Sequence, residues 1–259
     1  MHQSALALLL TTVPAIVSAQ VPPSVDLEHR RKALDALLKE QWEYFLHAEP
    51  EYASSLGDRR YNDRLKDYSQ AFLDSDWKQK AEFLKRFEAI DTKGFPLQEA
   101  LNKELMVRDL RTELEGQRFK DWEMPLFPGM IHLALPFLAS KVPLETVKDF
   151  EDYIVRLKHV PRVLAEATIQ MRKGMRDGLM PPGFLLPKVV SQCEEIAAAK
   201  LEESPFTQPL TKFPATFSDA EKNRLKEGVL SAFKDQVVPA YRTFAAFVRD
   251  EYAPKGRKD

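Results

Sequence analysis

The chain has 259 residues, enough for one large domain or two small ones. Its 38 Lys and Arg residues nearly balance 39 Asp and Glu, and a formal charge of −1 excludes a global field that would steer nucleic acid or an anionic membrane. Nine glycines are few for a fold rich in β-turns, so the composition favours helices. The single cysteine, Cys193, excludes an intramolecular disulfide and a cysteine-rich metal site.

The N-terminus has the pattern of an export signal. Residues 5–17 are apolar apart from two threonines, and the run is too short to span a bilayer. Val17-Ser18-Ala19 then has the small-x-small pattern that signal peptidase cleaves. A buried first helix is the alternative, but prolines within and just after the run argue against it.

We therefore predict a signal peptide at residues 1–19 and a single helical domain at residues 20–259. The mature chain would contain no transmembrane segment, and it would be periplasmic or extracellular.

Helical spacing of apolar residues begins after Pro23 and predicts four helices in the first half of the chain. The first covers about residues 26–48, and Pro50 opens a short second helix that Gly57 ends. Ser69 is the predicted N-cap of the third helix, and the fourth runs from Leu97 to Gly116.

Between residues 117 and 143 the helical period is lost. The segment holds four prolines and many large apolar side chains, among them Leu126 and Leu138. Because a solvent-exposed loop should be polar, we expect this Pro-rich apolar segment to cross over other helices and pack against them.

The second half of the chain returns to helical spacing. A helix is predicted from Leu144 to Met175 with a kink at Pro161, and another passes through Cys193. Ser218 and Glu221 form a capping box that opens a final long helix, bent near Pro239. With no β-alternation of useful length, the predicted fold is an all-α, irregular bundle of about seven helices.

Catalytic motifs are scarce. No two of the five histidines lie three or four residues apart, so the sequence has no helical metal pair and no H-E-x-x-H motif. It also has no nucleophile elbow and no phosphate-binding glycine loop. Cys193 and His132 are both interpreted as buried core residues rather than as reactive groups.

The stretch LGDRRYNDRL at residues 56–65 has two interpretations. In the first, Asp58 and Asp63 accept local backbone amides and the arginines point to water. In the second, the three arginines and Tyr61 form a buried polar cluster or a carboxylate-binding corner. The candidate substrate-binding residues are Arg59, Tyr61 and Arg64.

Three blocks in order, LGDRRYNDRLKDYS, EDYIVRLKHVPRVLAEATIQMRKGMRDGLMPP and VVPAYRTFAAFVRDEYAP, carry a family resemblance. From about Leu34 to the C-terminus, the chain resembles the N-terminal half of the bacterial family called domain of unknown function 885. The resemblance implies an all-helical, exported protein similar to zinc metallopeptidases, in which a zinc-activated water hydrolyses a peptide bond.

In that family the His-Glu and Pro-Gly-His segments that would hold zinc lie in the C-terminal half, and this sequence contains neither. The resemblance therefore implies no cofactor in this chain, zinc in full-length members, and no hydrolase activity of the chain alone. It also implies a C-terminal catalytic half as partner and a peptide as substrate. The near-neutral charge predicts no nucleic-acid partner.

Two functional hypotheses remain at the level of sequence. The chain is the helical N-terminal part of an exported metallopeptidase-like hydrolase and forms one wall of its cleft, or it is a non-catalytic helical binding protein of the periplasm. Under the first hypothesis we expect the missing half to dock on residues 126–138 and on the final helix, at Phe233, Tyr241, Phe244 and Phe247.

Overall fold

The computed structural model describes residues 25–126 and 131–258, so the predicted signal peptide lies outside the described residues. Within those two ranges the chain forms helices and no β-sheet, with one isolated bridge between Pro182 and Arg257. The prediction of an all-α fold is confirmed.

The first half of the chain forms four helices: α1 (Val25–Ala48), α2 (Pro50–Ser55), α3 (Gln70–Glu88) and α4 (Leu97–Gly116). Ser69 caps α3 as predicted, and its side chain accepts from the Phe72 amide at 3.2 Å. Gly57 follows α2 with φ +85°, a left-handed conformation that ends the helix at little cost for glycine.

The second half contains more and shorter helices than the sequence predicts. They are α5 (Ile131–Ala134), α6 (Leu138–Lys141), α7 (Val147–Lys158), α8 (Val160–Asp177), α9 (Leu186–Ala198), α10 (Asp219–Ala232) and α11 (Val238–Phe247). The described residues thus form eleven α-helices instead of about seven, partly because α5 and α6 are single turns whose period is too short to recognise.

The predicted kink at Pro161 is wrong, because the structure has two separate helices there. The helix stops at Lys158, and a new one starts at Val160 with Pro161 in its first turn. Because the first amides of a helix have no intrahelical acceptor, proline costs nothing there. At Pro239 the chain stays helical, but the turn before it, Phe233–Val237, widens into a π-helix.

Two capping boxes fix helix starts in this half. The predicted one at Ser218 and Glu221 is present, with the carboxylate accepting from the Ser218 amide at 2.8 Å. A second one joins Thr146 and Asp149 at the start of α7. Each box satisfies two amides that a helix N-terminus otherwise leaves unpaired.

The largest apolar core lies among α7, α8, α9 and α11, and the Pro-rich segment packs into it. Leu126, Ile131, Leu135 and Leu138 are all buried in this core. The Tyr241 hydroxyl donates to the His132 carbonyl at 2.7 Å and so ties the segment to α11. A separate core joins α1, α3 and α4.

The expectation that the final helix offers its aromatic side chains to a missing half is wrong. The four aromatic side chains of the final helix are at most 6% exposed, and they face this chain's own core. The prediction that the Pro-rich apolar segment packs against other helices is confirmed for its buried leucines and Ile131. Among the residues of this segment that the structure describes, Phe119 and Phe137 are exposed, at 57% and 62%.

Candidate functional site

The sequence block LGDRRYNDRL lies in the connection between α2 and α3, residues 56–69, which we name the arginine loop. A single 3-10 turn, Arg59–Tyr61, forms its first part. Asp58 caps this turn, and its side chain accepts from the Arg60 amide at 3.0 Å. The first interpretation of the block is confirmed for Asp58, which accepts a local backbone amide.

Arg156 of α7 holds the arginine loop through hydrogen bonds, and its side chain is fully buried. Its Nε donates to the Arg64 carbonyl at 2.7 Å, and its Nη2 donates to the Tyr61 carbonyl at 3.0 Å and to Ser54 Oγ at 2.8 Å. Burial lowers the pKa of Arg156, while the carboxylates of nearby acidic residues oppose that shift. A planar guanidinium suits this position because it donates in several directions at once.

Side chains of α8 hold the second part of the loop. Arg162 Nη2 donates to the Leu65 carbonyl at 2.9 Å. The Tyr68 amide donates to Glu166 at 2.9 Å, and Gln170 donates to the Tyr68 carbonyl at 3.1 Å. Side chains of α7 and α8 thus bond several backbone groups of the arginine loop between Tyr61 and Tyr68, which holds the loop against these two helices.

The three candidate binding residues do not converge on one point. Arg59 reaches the start of α7, where it pairs with Glu145 and lies 3.4 Å from Asp149. Tyr61 and Arg64 lie together, with the guanidinium 5.6 Å from the ring centroid. The structure therefore brings together Tyr61 and Arg64, and separates Arg59 from them.

The remaining arginine of the block is also engaged. Arg60 pairs with Glu43 of α1 and with Asp58, each at 2.6 Å. Neither interpretation of the arginines holds as stated, because Arg59 and Arg60 form ion pairs instead of pointing freely to water. The buried polar cluster exists, but Arg156 forms its centre.

A pocket of about 300 Å³ opens beside Arg64, between the arginine loop, the end of α1 and the α7–α8 junction. We name it the arginine pocket. Its basic and imidazole side chains come from these three segments: His47, Arg64, Lys66, His159 and Arg162. Phe72 and Leu65 add apolar surface, and Asp67 contributes one carboxylate.

Arg64 is the cation of this pocket that is least neutralised. Lys66 pairs with Glu49, and Arg162 pairs with Glu166 at 2.8 Å. The nearest carboxylate to Arg64, that of Asp63, lies 3.8 Å away, and the Arg64 side chain is 52% exposed. The guanidinium of Arg64 therefore has N–H groups available to donate to the carboxylate of a ligand.

His159 and His47 complete the polar lining. Partial burial, and then the charge of Arg162, lower the pKa of His159, which favours the neutral imidazole. A neutral imidazole can donate one hydrogen bond and accept another. The His47 ring meets the Tyr61 ring edge-on, with the centroids 5.8 Å apart. The arrangement can bind an anionic group, but it contains no activated nucleophile.

No zinc site is formed by the parts of the chain that the structure describes. Within residues 25–126 and 131–258, no three His, Cys, Asp or Glu side chains are grouped so as to hold a metal ion. The residues present therefore do not fit the zinc expected in full-length family members. Within the same ranges, no helix is long and apolar enough to cross a membrane.

Sequence reasoning missed Arg156 and Arg162. A weak signal was present, because Arg156 falls between Tyr153 and Leu157 on the apolar face of α7. A cation at such a position is buried only when it has partners, and those partners lie far away in the chain. The sequence gives no such signal for Arg162, because a long side chain can keep its charged group in solvent even at the edge of an apolar face.

Comparisons with known proteins agree with this fold. A crystal structure described as "the putative lipoprotein from Colwellia psychrerythraea" superposes with a TM-score of 0.77 at 16% sequence identity. The match covers 89% of this chain and 43% of that one, so the chain spans less than half the length of that structure. No curated protein matches the chain.

At the level of sequence, residues 50–259 match the family described as "Bacterial protein of unknown function (DUF885)". The matched region begins at the first residue of α2 and includes the arginine loop and all later helices. It covers well over half of the chain, and the chain therefore belongs to the DUF885 family.

Proposed function

We propose that this chain is the ligand-binding, non-catalytic part of an exported hydrolase-like protein, and that the arginine pocket binds a carboxylate group of its peptide ligand. The observation that carries the proposal is the position of Arg64, a half-exposed guanidinium at the pocket without a closely paired carboxylate. The bound carboxylate would take the place that an acidic side chain occupies beside the loop's other arginines.

The rigidity of the arginine loop supports a binding role. Arg156 and Arg162 hold the backbone on either side of Arg64, through the carbonyls of Tyr61, Arg64 and Leu65. A binding residue on a loop fixed in this way loses little conformational entropy when a ligand arrives.

Export is supported by two observations of different kinds. The first residues have the composition of a signal peptide, with the cleavage pattern at Val17-Ser18-Ala19. A structure of the same fold is described as a putative lipoprotein, which fits a protein of the cell envelope. Both observations support the proposal that the mature chain is periplasmic or extracellular.

We infer that the ligand is a peptide from the resemblance of the family to zinc metallopeptidases. In a longer protein the arginine loop would form one wall of the substrate cleft, and the catalytic groups would come from a C-terminal half that supplies the zinc site. The chain alone is proposed to bind without cleaving. Peptide cleavage by the purified chain that needs zinc and stops with a chelator would contradict this.

The test of carboxylate binding compares two forms of one peptide. A short N-acetylated peptide with a free C-terminal carboxylate should bind the purified chain more tightly than its C-terminal amide, as measured by calorimetric titration. Because Arg64 is half exposed, we expect Arg64→Gln to weaken binding of the acid by about fivefold and to leave binding of the amide unchanged.

Arg108→Gln is the matched control. Arg108 lies on α4, away from the arginine pocket, and its side chain is 67% exposed. This variant removes the same charge from the chain and should leave the preference for the acid intact. Equal affinity of the acid and the amide for the unmodified chain would refute the proposal.

A further inference from the structure

A second pocket, of about 400 Å³, lies between α1, α3 and α4 and the turn that carries Trp122. We name it the aromatic pocket. Its ring-bearing walls are Tyr44, Phe45, Trp77, Phe83 and Trp122. Its volume is within the range of sites that bind small organic molecules.

The two indoles form one side of this pocket. Their ring centroids lie 5.6 Å apart at 47°, so they present a joined aromatic surface. The Nε1 atoms of Trp77 and Trp122 are buried and have no acceptor among the described residues. A buried indole N–H without an acceptor costs free energy.

The charge of the aromatic pocket is strongly negative for a chain that is nearly neutral overall. Its lining holds one cation, Lys80, and four carboxylates, which together give −3: Glu49, Asp76, Glu113 and Asp121. Lys80 lies 2.8 Å from Asp76 and 2.9 Å from Glu113. Glu49 is paired with Lys66, and Asp121 is exposed at the rim.

The aromatic pocket already contains one ammonium group, that of Lys80. The Lys80 Nζ lies 4.9 Å from the centroid of the Trp77 ring while it pairs with the two carboxylates. An aromatic face beside carboxylates is the environment in which organic cations bind well. Asp121 and Trp122 also line the pocket, and Lys80, the one lysine of the lining, pairs with Asp76 and Glu113 instead of with Asp121.

We propose that the aromatic pocket binds an organic cation, a primary amine or a guanidinium carried on a flat apolar body. The cation lies between Asp121 and the indole of Trp122, and the apolar body packs against Phe45 and Trp77. The proposal does not depend on the arginine pocket, whose lining is basic and which touches the aromatic pocket only near Ala48.

Intrinsic fluorescence provides the test, because two of the three tryptophans line the pocket. The third, Trp42, is 44% exposed outside it and is removed by Trp42→Phe. In that background, 2-phenylethylamine should change the emission saturably and bind at least about fivefold more tightly than 2-phenylethanol, its uncharged analogue.

Asp121→Asn should remove that preference. The side chain of Asp121 is exposed, so the substitution leaves the fold intact, and it should weaken amine binding while binding of the alcohol stays the same. Asp219→Asn is the matched control: Asp219 is an exposed aspartate of α10 outside both pockets, and its loss should not change amine binding. Equal affinity for amine and alcohol, no saturable change, or an unaffected preference in Asp121→Asn would each overturn the proposal.

Discussion

At the scale of single residues, the arginine loop depends on a side chain from outside it. Arg156 is fully buried, and three of its donor contacts reach the backbone or Ser54 across more than 90 positions of sequence. The Nη1 atom of Arg156 is buried without a partner among the described residues, but Nε and Nη2 are bonded to the loop and to Ser54, so the loop and Arg156 stabilise each other. The exposed arginines of the loop are then available for other contacts.

Arg156→Lys should therefore destabilise the protein although it keeps the charge. An ammonium group cannot reproduce the separate contacts of Nε and Nη2, and we expect a loss of about 2–4 kcal/mol in the free energy of unfolding. Urea denaturation measures it. The control Arg108→Lys, at a position 67% exposed, should change the free energy by less than about 0.5 kcal/mol. Similar values for the two variants would contradict the role of Arg156.

Because of His132, we expect the stability of the folded protein to fall at acidic pH. It is fully buried, and burial lowers its pKa although a hydrogen bond to Gln192 opposes the shift. Below about pH 6.5 the unfolded chain takes up a proton that the folded His132 does not, so stability is lost as the pH falls, by at most about 1.4 kcal/mol per unit. Stability from this group is fully present above that pH.

His132→Gln should shrink the difference in melting temperature between pH 7.5 and pH 5.5, whatever its effect at either pH alone. His29→Gln, at an exposed position of α1, is the control and should keep the difference of the unmodified chain. If both variants keep the full difference, His132 does not cause it.

At the scale of helices, the close approach of α8 to the turn at residues 121–123 depends on one glycine. A Cβ on Gly174 would lie 2.3 Å from the carbonyl oxygen of Glu123, and that oxygen is backbone that cannot rotate away. At Gly116, the last residue of α4, φ is −61° and no atom lies within 4 Å of the added carbon.

These two glycines predict opposite effects of the same substitution. Gly174→Ala should destabilise the fold by about 2–3 kcal/mol, because the turn must move. Gly116→Ala should leave stability unchanged or raise it by up to about 1 kcal/mol, since alanine favours the helix. Thermal unfolding of the two variants measures this, and an equal effect would show that the packing of α8 against the turn is looser than described.

Local sequence signals predicted most of the helices because caps and apolar spacing act over a few residues. Ser69 and the pair Ser218 and Glu221 begin their helices where expected. The break before Pro161 was not predicted, because a proline within helical spacing is compatible with a kink or with a new helix. Packing of both helices on the core decides between them, and that is not a local property.

At the scale of the whole molecule, the site combines segments that are distant in sequence. The arginine loop was recognisable as a block; Tyr61 and Arg64 lie together, and Arg64 lines the arginine pocket. The rest of the pocket comes from His47 of α1 and from the α7–α8 junction. Their proximity follows from tertiary packing, which apolar periodicity does not encode.

Two pockets of opposite charge meet near the end of α1. The arginine pocket is basic and the aromatic pocket is acidic, and both are lined in part by Ala48. A crystal structure with this fold belongs to a longer chain, of which the match covers 43%. We therefore propose that the described helices form a binding surface within such a larger protein.

The crystal structure of the chain with an N-acetylated peptide that ends in a free carboxylate tests the central claim most directly. We predict that the terminal carboxylate lies in the arginine pocket, about 2.7–2.9 Å from a guanidinium nitrogen of Arg64. A peptide carboxylate bound elsewhere on the chain, with the arginine pocket holding no part of the ligand, would contradict it.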